Sequence, residues 1–430
     1  MVRPVMRLPR LVRKIFGDRS ANATVVTAFS ILSMIGGAGL ATDTIQWTLS
    51  KRQLQRMADS AALAGAFAKA RKQSDDETKA SAQKELDRYT ALNIITLNSV
   101  PSITQPTTGT YANKSVTVTI DARRALPFSS IFLTTVPTQA ATATAAAVGF
   151  GEYCGAALMS TTGTGINFGG NADVNLGCGV ISNSLGTKSV DRSGSGTLNI
   201  DPIGAVGGIN GTYNATLQPY TFPIDDPYAS LPMLTVPNGC QSNSAANRLA
   251  VAPNTSYSPT GTSFCYTDMD VKGSLTFPDH SQIIVNGAFG GLLNVGAQGS
   301  LTCHQCTFFL TTSGTDYSKV ATVNMNGGST VDLSAPADAS TYDGILFYQD
   351  RNATLVSNNF INGSAGGGLD GGLYFPKQVL NFTGDSAFSA ACLRLIGWQL
   401  TFSGHTGISN SNCDKYKAKG LVGTRIRLVN

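Results

Sequence analysis

Cys303 and Cys306, in the run CHQC, are the residues of this 430-residue sequence whose spacing most directly suggests chemistry. Two thiols so placed can act as a redox couple, as half of a zinc site, or as a short structural disulfide. A redox couple needs a helix N-terminus to lower a thiol pKa, and CHQC lies between two strand-like runs instead. A zinc site needs a second pair in reach, for which Cys392, His405 and Cys413 are the candidates. A disulfide or turn is the better reading. The remaining cysteines are Cys154, Cys178, Cys240 and Cys265, so all eight lie after residue 150. An even number confined to one part of the chain points to disulfides formed in an oxidising compartment. Spacing alone leaves 105 pairings open, of which nearest neighbours in order is the simplest.

A second chemistry would use paired carboxylates. Asp225 with Asp226, Asp343, Asp350 and Asp370 are candidates for acid and base work on a glycosidic bond, with Arg351 or Lys377 neutralising a uronate. Asp is also what turns select, and IDDPYASLP reads as a Pro-rich loop. His280, His304 and His405 stand apart, with no triad partner at a readable spacing. No Gly-rich phosphate loop with its Lys occurs. The sequence therefore assigns no catalytic, cofactor-binding or metal residue. The alternative kept open is a carbohydrate-active enzyme or a glycan-binding adhesin, with a glycan as partner.

The elements that would position these groups are short strands. Of the 280 residues after position 150, 39 are Gly, about twice the usual 7%. Segments such as GINF, DVNL, QIIVN, CTFFL and GILFYQ recur roughly ten residues apart, bounded by Gly, Asn, Asp or Ser. In NMNGGSTVDLS, Val323, Met325, Val331 and Leu333 alternate with polar residues, which gives one dry face. Residues 151–430 are thus expected to form a mainly β domain containing the cysteines, a right-handed parallel β-helix, because stacked coils need no single large core.

The N-terminal part differs. Arg3, Arg7, Arg10, Arg13, Lys14 and Arg19 supply much of the net charge of +5, and no basic stripe interleaved with aromatics suggests nucleic acid. Residues 20–42 carry no charge and, at about 1.5 Å per residue, can cross a hydrocarbon layer of about 30 Å. Excess positive charge before the span places residues 1–19 as a cytoplasmic tail and the rest outside. The small residues of GLA, Gly39–Ala41, also suit a cleaved export signal. The basic lead is long for one, and the helical pattern runs on through the cut, so an uncleaved anchor is the better reading. Ser33, Gly37 and Ala41 form a small-xxx-small face for helix packing or self-association in lipid. Beyond the span, Leu54, Ala58, Ala61, Gly65 and Ala68 mark one helical stripe, thin enough for close packing. The helix is expected to continue through SDDETKASAQKELDRYTAL and to end in a polar linker over 101–108.

The run GLATDTIQWTLSKRQLQRMADSAALAGA, residues 39–66, resembles the N-terminal segment of TadG-like proteins of the Flp (tight adherence) pilus assembly system. Gly39, Leu40, Ala41 and Asp43 carry its first block; Lys51, Arg52, Leu54 and Gln55 its second; Ala58, Asp59 and Ala61–Ala66 its third. SVTVTIDARRALPFSSIF and TQAATATAAAVG resemble the strand, helix and Ala/Thr-rich strand that close the family's N-terminal domain. VDLSAP, GILFYQDR, GGLYFPKQ and FTGDS resemble pieces of the C-terminal part of some members. The sequence departs from Flp pilins at Asn22, where counting from Gly17 requires Glu, so prepilin processing is not expected. Some relatives carry a von Willebrand A metal site beginning Asp-x-Ser-x-Ser. DRSGS, Asp191–Ser195, spells it, but its flanks lack the strand and helix that aim the hydroxyls, and a turn between strands is expected.

The resemblance implies a transmembrane helix over 20–42, a small pilin-like α+β region over 43–150, and the β domain. It implies a single-pass bacterial inner-membrane protein with its C-terminal region in the periplasm. Its expected partners are the membrane and other pilus-assembly or secretion proteins.

Overall fold

The computed structural model describes residues 19–91, 96–132, 134–338, 340–354, 357–362, 368–383, 386–389, 392–404, 406–409 and 420–429. Two compact units emerge, residues 1–148 with 426–430, and residues 149–425.

In the first unit, helix α1 (Arg19–Ala70) runs for 52 residues. It stops at a turn in which Lys72 takes φ 59°. Helix α2 (Asp75–Ala91) then starts on a capping box. The Ser74 backbone N–H donates to Glu77 Oε2 (2.8 Å), and the Glu77 N–H donates back to Ser74 Oγ (3.2 Å). The expected continuous helix is therefore two helices, because Ser74 and Glu77 satisfy a new helix start. Strand β1 (Ser102–Thr104) pairs antiparallel with β2 (Ser115–Arg123), which pairs antiparallel with β3 (Thr138–Ala157). β1 occupies the stretch expected as a linker; Ile103 packs toward the core between polar neighbours, as a short edge strand does. The helix expected within PFSSIF is a single 3-10 turn, Ser129–Ile131. The last described residues return to this unit, where the Val429 N–H donates to the Thr144 carbonyl (2.8 Å).

The second unit is built almost wholly of parallel pairings. In its middle stretch each strand pairs with the third strand onward: 263–266 with 282–286, then 307–311, then 345–349. Two other ladders repeat this rhythm, through 248–251, 268–271, 292–295 and 322–325, and through 256–257, 274–276, 300–303 and 330–334. Inward Val271, Leu275, Val285, Leu301, Leu310, Val323 and Leu333 join one continuous apolar core.

The order of the stack departs from the order of the chain. β3 pairs at 155–157 with 395–397 on one side and with 180–182 on the other. The chain therefore joins the stack in its middle, builds outward to 217–218, and resumes at the opposite end with 248–251. One register row shows the consequence: Cys265, Ile284, Phe309, Tyr348, Tyr374, Ile396, Ala156, Ile181 and Gly204 are successive partners. Residues 219–247, a connector rich in Pro, must travel back along the stack. They do so over the outer side of this row, where Ile224, Tyr228, Val236 and Cys240 pack with Ile181, Tyr374, Phe309 and Ile284 in one apolar cluster.

Candidate functional site: the N-terminal helix and its seat

The first part of α1 exposes its apolar side chains. Val26, Phe29, Leu32, Met34, Ile35 and Leu40 are between 57 and 73% exposed. Its hydroxyls bond back within the helix, Thr27 to the Ala23 carbonyl (2.7 Å), Ser30 to Val26 (2.8 Å) and Ser33 to Phe29 (3.0 Å). A helix whose polar groups are met internally and whose outside is apolar suits hydrocarbon rather than water. It is the one helix among the described residues long and apolar enough to cross a membrane. Ser33, Gly37 and Ala41 are all exposed on it, and a Cβ at Gly37 would meet nothing within 4 Å.

Further on, the same helix is buried. Leu54, Ala58 and Ala61 are fully covered, packed with Val116, Val118, Ala141, Ala143 and Ala145 of the sheet and Ala82 of α2, and Ala68 is nearly covered. Ala meets Ala across this interface, which lets the backbones approach closely. Gly65 sits at a close approach: a Cβ there would stand 2.9 Å from Val116 Cγ1 and 3.3 Å from Ala82 Cβ. Gln55 Nε2 donates to the Thr142 carbonyl (3.1 Å) and Gln139 Nε2 to the Trp47 carbonyl (3.2 Å), tying helix to sheet.

Between exposed and buried parts lies a seat that the sequence did not announce. The Asp43 carboxylate accepts from the Phe128 N–H (3.2 Å), the Ser129 N–H and the Ser129 hydroxyl (2.6 Å). One turn earlier, the Phe128 ring lies where a Cβ at Gly39 would be. The readable signal was the spacing, because Gly39 and Asp43 four residues apart share one helix face.

In the β unit, the residues singled out for chemistry hold structure. Cys154 is bonded to Cys178, Cys240 to Cys265 and Cys303 to Cys306, with Cα separations of 5.7, 5.9 and 5.9 Å. These separations lie in the usual disulfide range. Cys392 is disulfide-bonded; Cys413 and His405 lie outside the described residues. Asp226 accepts from the Tyr374 hydroxyl (2.6 Å) and the Tyr228 N–H (2.9 Å). Arg351 donates to the carbonyls of Tyr228 (3.2 Å), Ala229 and Leu231 (2.7 Å), all on the connector. Asp350 accepts from the Thr311 hydroxyl (2.9 Å), Asp343 from Ser340, and Asp370 from the Cys392 N–H (3.0 Å). Lys377 lies 5.6 Å above the Trp398 ring. The structure thus brings Asp226 and Arg351 to one place, where they fasten the connector.

Burial shapes the protons of this region. It pushes the Tyr153 and Tyr348 hydroxyls up to about 12, and Tyr374 higher still, the Asp226 carboxylate adding to burial there. His280 Nδ1 sits 3.0 Å from Asp338, and His304 Nε2 3.2 Å from Asp332, both exposed. Asp191 lies within strand 190–192, accepting from Asn210 Nδ2 (2.6 Å), and the chain bends after it, where Ser195 donates to Asn171 (2.9 Å). No group of three His, Cys, Asp or Glu that could hold a metal occurs among the described residues.

An exposed apolar helix that runs unbroken into a close-packed helix-on-sheet unit fits a membrane anchor at the N-terminal part of the chain. Residues 21–70, which hold both halves of that helix, match the family model described as putative Flp pilus-assembly TadE/G-like. This is the family that the Gly-Leu-Ala-x-Asp and Ala-Asp-x-Ala-Ala-Leu-Ala-Gly-Ala blocks resemble. No curated protein and no solved structure matches the chain.

Proposed function

We propose that this chain is a membrane-anchored component of a Flp/Tad-type pilus assembly machine with a structural, protein-binding role. The observation that carries the proposal is the family match over 21–70, falling on a helix that is exposed and apolar first and Ala-packed afterwards. Residues 20–42 cross the inner membrane once. The basic residues before the span put the N-terminus in the cytoplasm and the rest of the chain in the periplasm. Ser33, Gly37 and Ala41 offer a neighbouring helix, from a pilus-assembly partner or a second copy, a face without bulky side chains. In the same reading residues 43–150 form a pilin-like α+β domain, and the β domain is a right-handed parallel β-helix. The three repeating parallel ladders support the coil, and the near-universal hand of parallel crossovers supports the right-handed sense.

The carboxylates that a glycan-cleaving enzyme would use favour the structural reading, since Asp226, Asp350 and Asp370 accept hydrogen bonds that hold the fold. Affinity capture of the intact protein from native membranes tests the proposal. The expected result is recovery of the pilus machine's membrane platform and secretion proteins, reduced by Gly37→Leu. Loss of the gene product with piliation unchanged and none of those proteins captured would overturn it.

A further inference from the structure

We propose that Phe128, Ile131 and Phe132 form a finger that inserts into the bilayer and sets the depth at which the first unit rides on it. The inference rests on the membrane reading of residues 20–42 and adds a second contact with lipid. Asp43 is the first charged residue after the span, and its three hydrogen bonds from Phe128 and Ser129 fix the finger at that boundary. Phe128 lies against Gly39, four residues back toward the membrane, which at 1.5 Å per residue is about 6 Å inside the span. Its ring packs on Phe132, with centroids 5.5 Å apart. Ile131 and Phe132 are 71 and 72% exposed. Large apolar side chains so exposed are uncommon on a small unit in water, and here they project beside a helix that leaves water at the same level. A depth of about 6 Å matches that at which interfacial apolar groups sit, about 5–10 Å into the headgroup and acyl boundary. Arg123 ends the strand that leads into the finger and Arg124 follows it, both exposed. That places basic groups where anionic headgroups lie.

The test uses the full-length chain in vesicles of phosphatidylethanolamine and phosphatidylglycerol, carrying Phe132→Trp or, as a second variant, Ile131→Trp. Emission of the parent protein, with Trp47 and Trp398, is subtracted. Flotation of the vesicles first reports whether the chain is anchored. The expected result is that the new indole emits to the blue, is quenched by lipids brominated on the upper acyl carbons, and is shielded from acrylamide. If the chain floats but acrylamide quenches the indole as it does an exposed side chain, the finger is refuted and the anchor stands. Shielding from both quenchers would mean that another protein surface covers the loop, which also refutes it. If the chain fails to float, anchor and finger fall together.

Discussion

Replacing Arg351 by Ala should free the connector while leaving the stack folded. The guanidinium donates to three connector carbonyls, those of Tyr228, Ala229 and Leu231. A hydrogen bond from a charged donor contributes about 1.5–3 kcal/mol net, and three together would give at most about 9 kcal/mol. Arg351 is only half-buried, so water can reach the released carbonyls and recover much of that. About 3 kcal/mol should remain as lost local stability, which corresponds to roughly a hundredfold more opening, at tenfold per 1.4 kcal/mol. Amide hydrogen exchange read by mass spectrometry is the assay. Peptides covering 224–236 should exchange on the order of a hundredfold faster, while those covering the core strands 282–286 and 307–311 keep their protection. The reasoning fails if connector exchange is unchanged, or if connector and core strands lose protection together, since the first denies the clamp and the second denies that it is local.

Three further outcomes follow from the same geometry. Gly65→Leu should destabilise the first unit by about 3 kcal/mol, the upper end of overpacking costs, because Val116 and Ala82 already stand at contact distance from a Cβ there; thermal unfolding in detergent would show a lower midpoint. Removing the Cys240–Cys265 disulfide by Ser replacement at both positions should cost about 3 kcal/mol for a loop of its length, and denaturant unfolding with and without reductant would measure it. In the alkaline range, Tyr153 and Tyr348 keep their protons up to about 12 in the fold, whereas an unfolded chain releases them near 10. Their contribution to stability is intact below about pH 10 and is lost as pH rises toward 12. Ultraviolet difference absorbance should therefore show part of the tyrosine signal appearing only near pH 12 in the folded protein, and near 10 once it is unfolded.

Much of the helix was legible from residue types, because small size and absence of charge are properties of single positions. Ala58, Ala61 and Gly65 spell close packing wherever they fall on one face, and the uncharged stretch 20–42 spells an apolar helix. The break at 72–74 was written in Ser74 and Glu77, but no Gly or Pro stood there to draw attention to it. Short alternating strands were equally plain, since Val323, Met325, Val331 and Leu333 point inward from their own local pattern. What the sequence could not reveal was their order in the stack. Ile396 pairs with Ala156 across some 240 residues of chain, and the strands on either side carry no local mark of that neighbour. The fate of IDDPYASLP was hidden for the same reason: its Asp226 and Tyr228 find Tyr374 and Arg351 only once the connector turns back. Asp226, chosen as a catalytic candidate, was thus a polar group needed at a distant seam.

Because the polypeptide joins the stack of parallel strands at its waist, neither extremity of the stack is a loose strand end. A pull transmitted through residue 149 arrives at a strand flanked on both sides by partners, Leu395 on one and Val180 on the other. Such a load must shear two rows of hydrogen bonds at once, whereas a solenoid gripped by its terminal coil unzips one rung at a time. The strand by which the chain enters is thus one that both of its neighbours must release before it can leave.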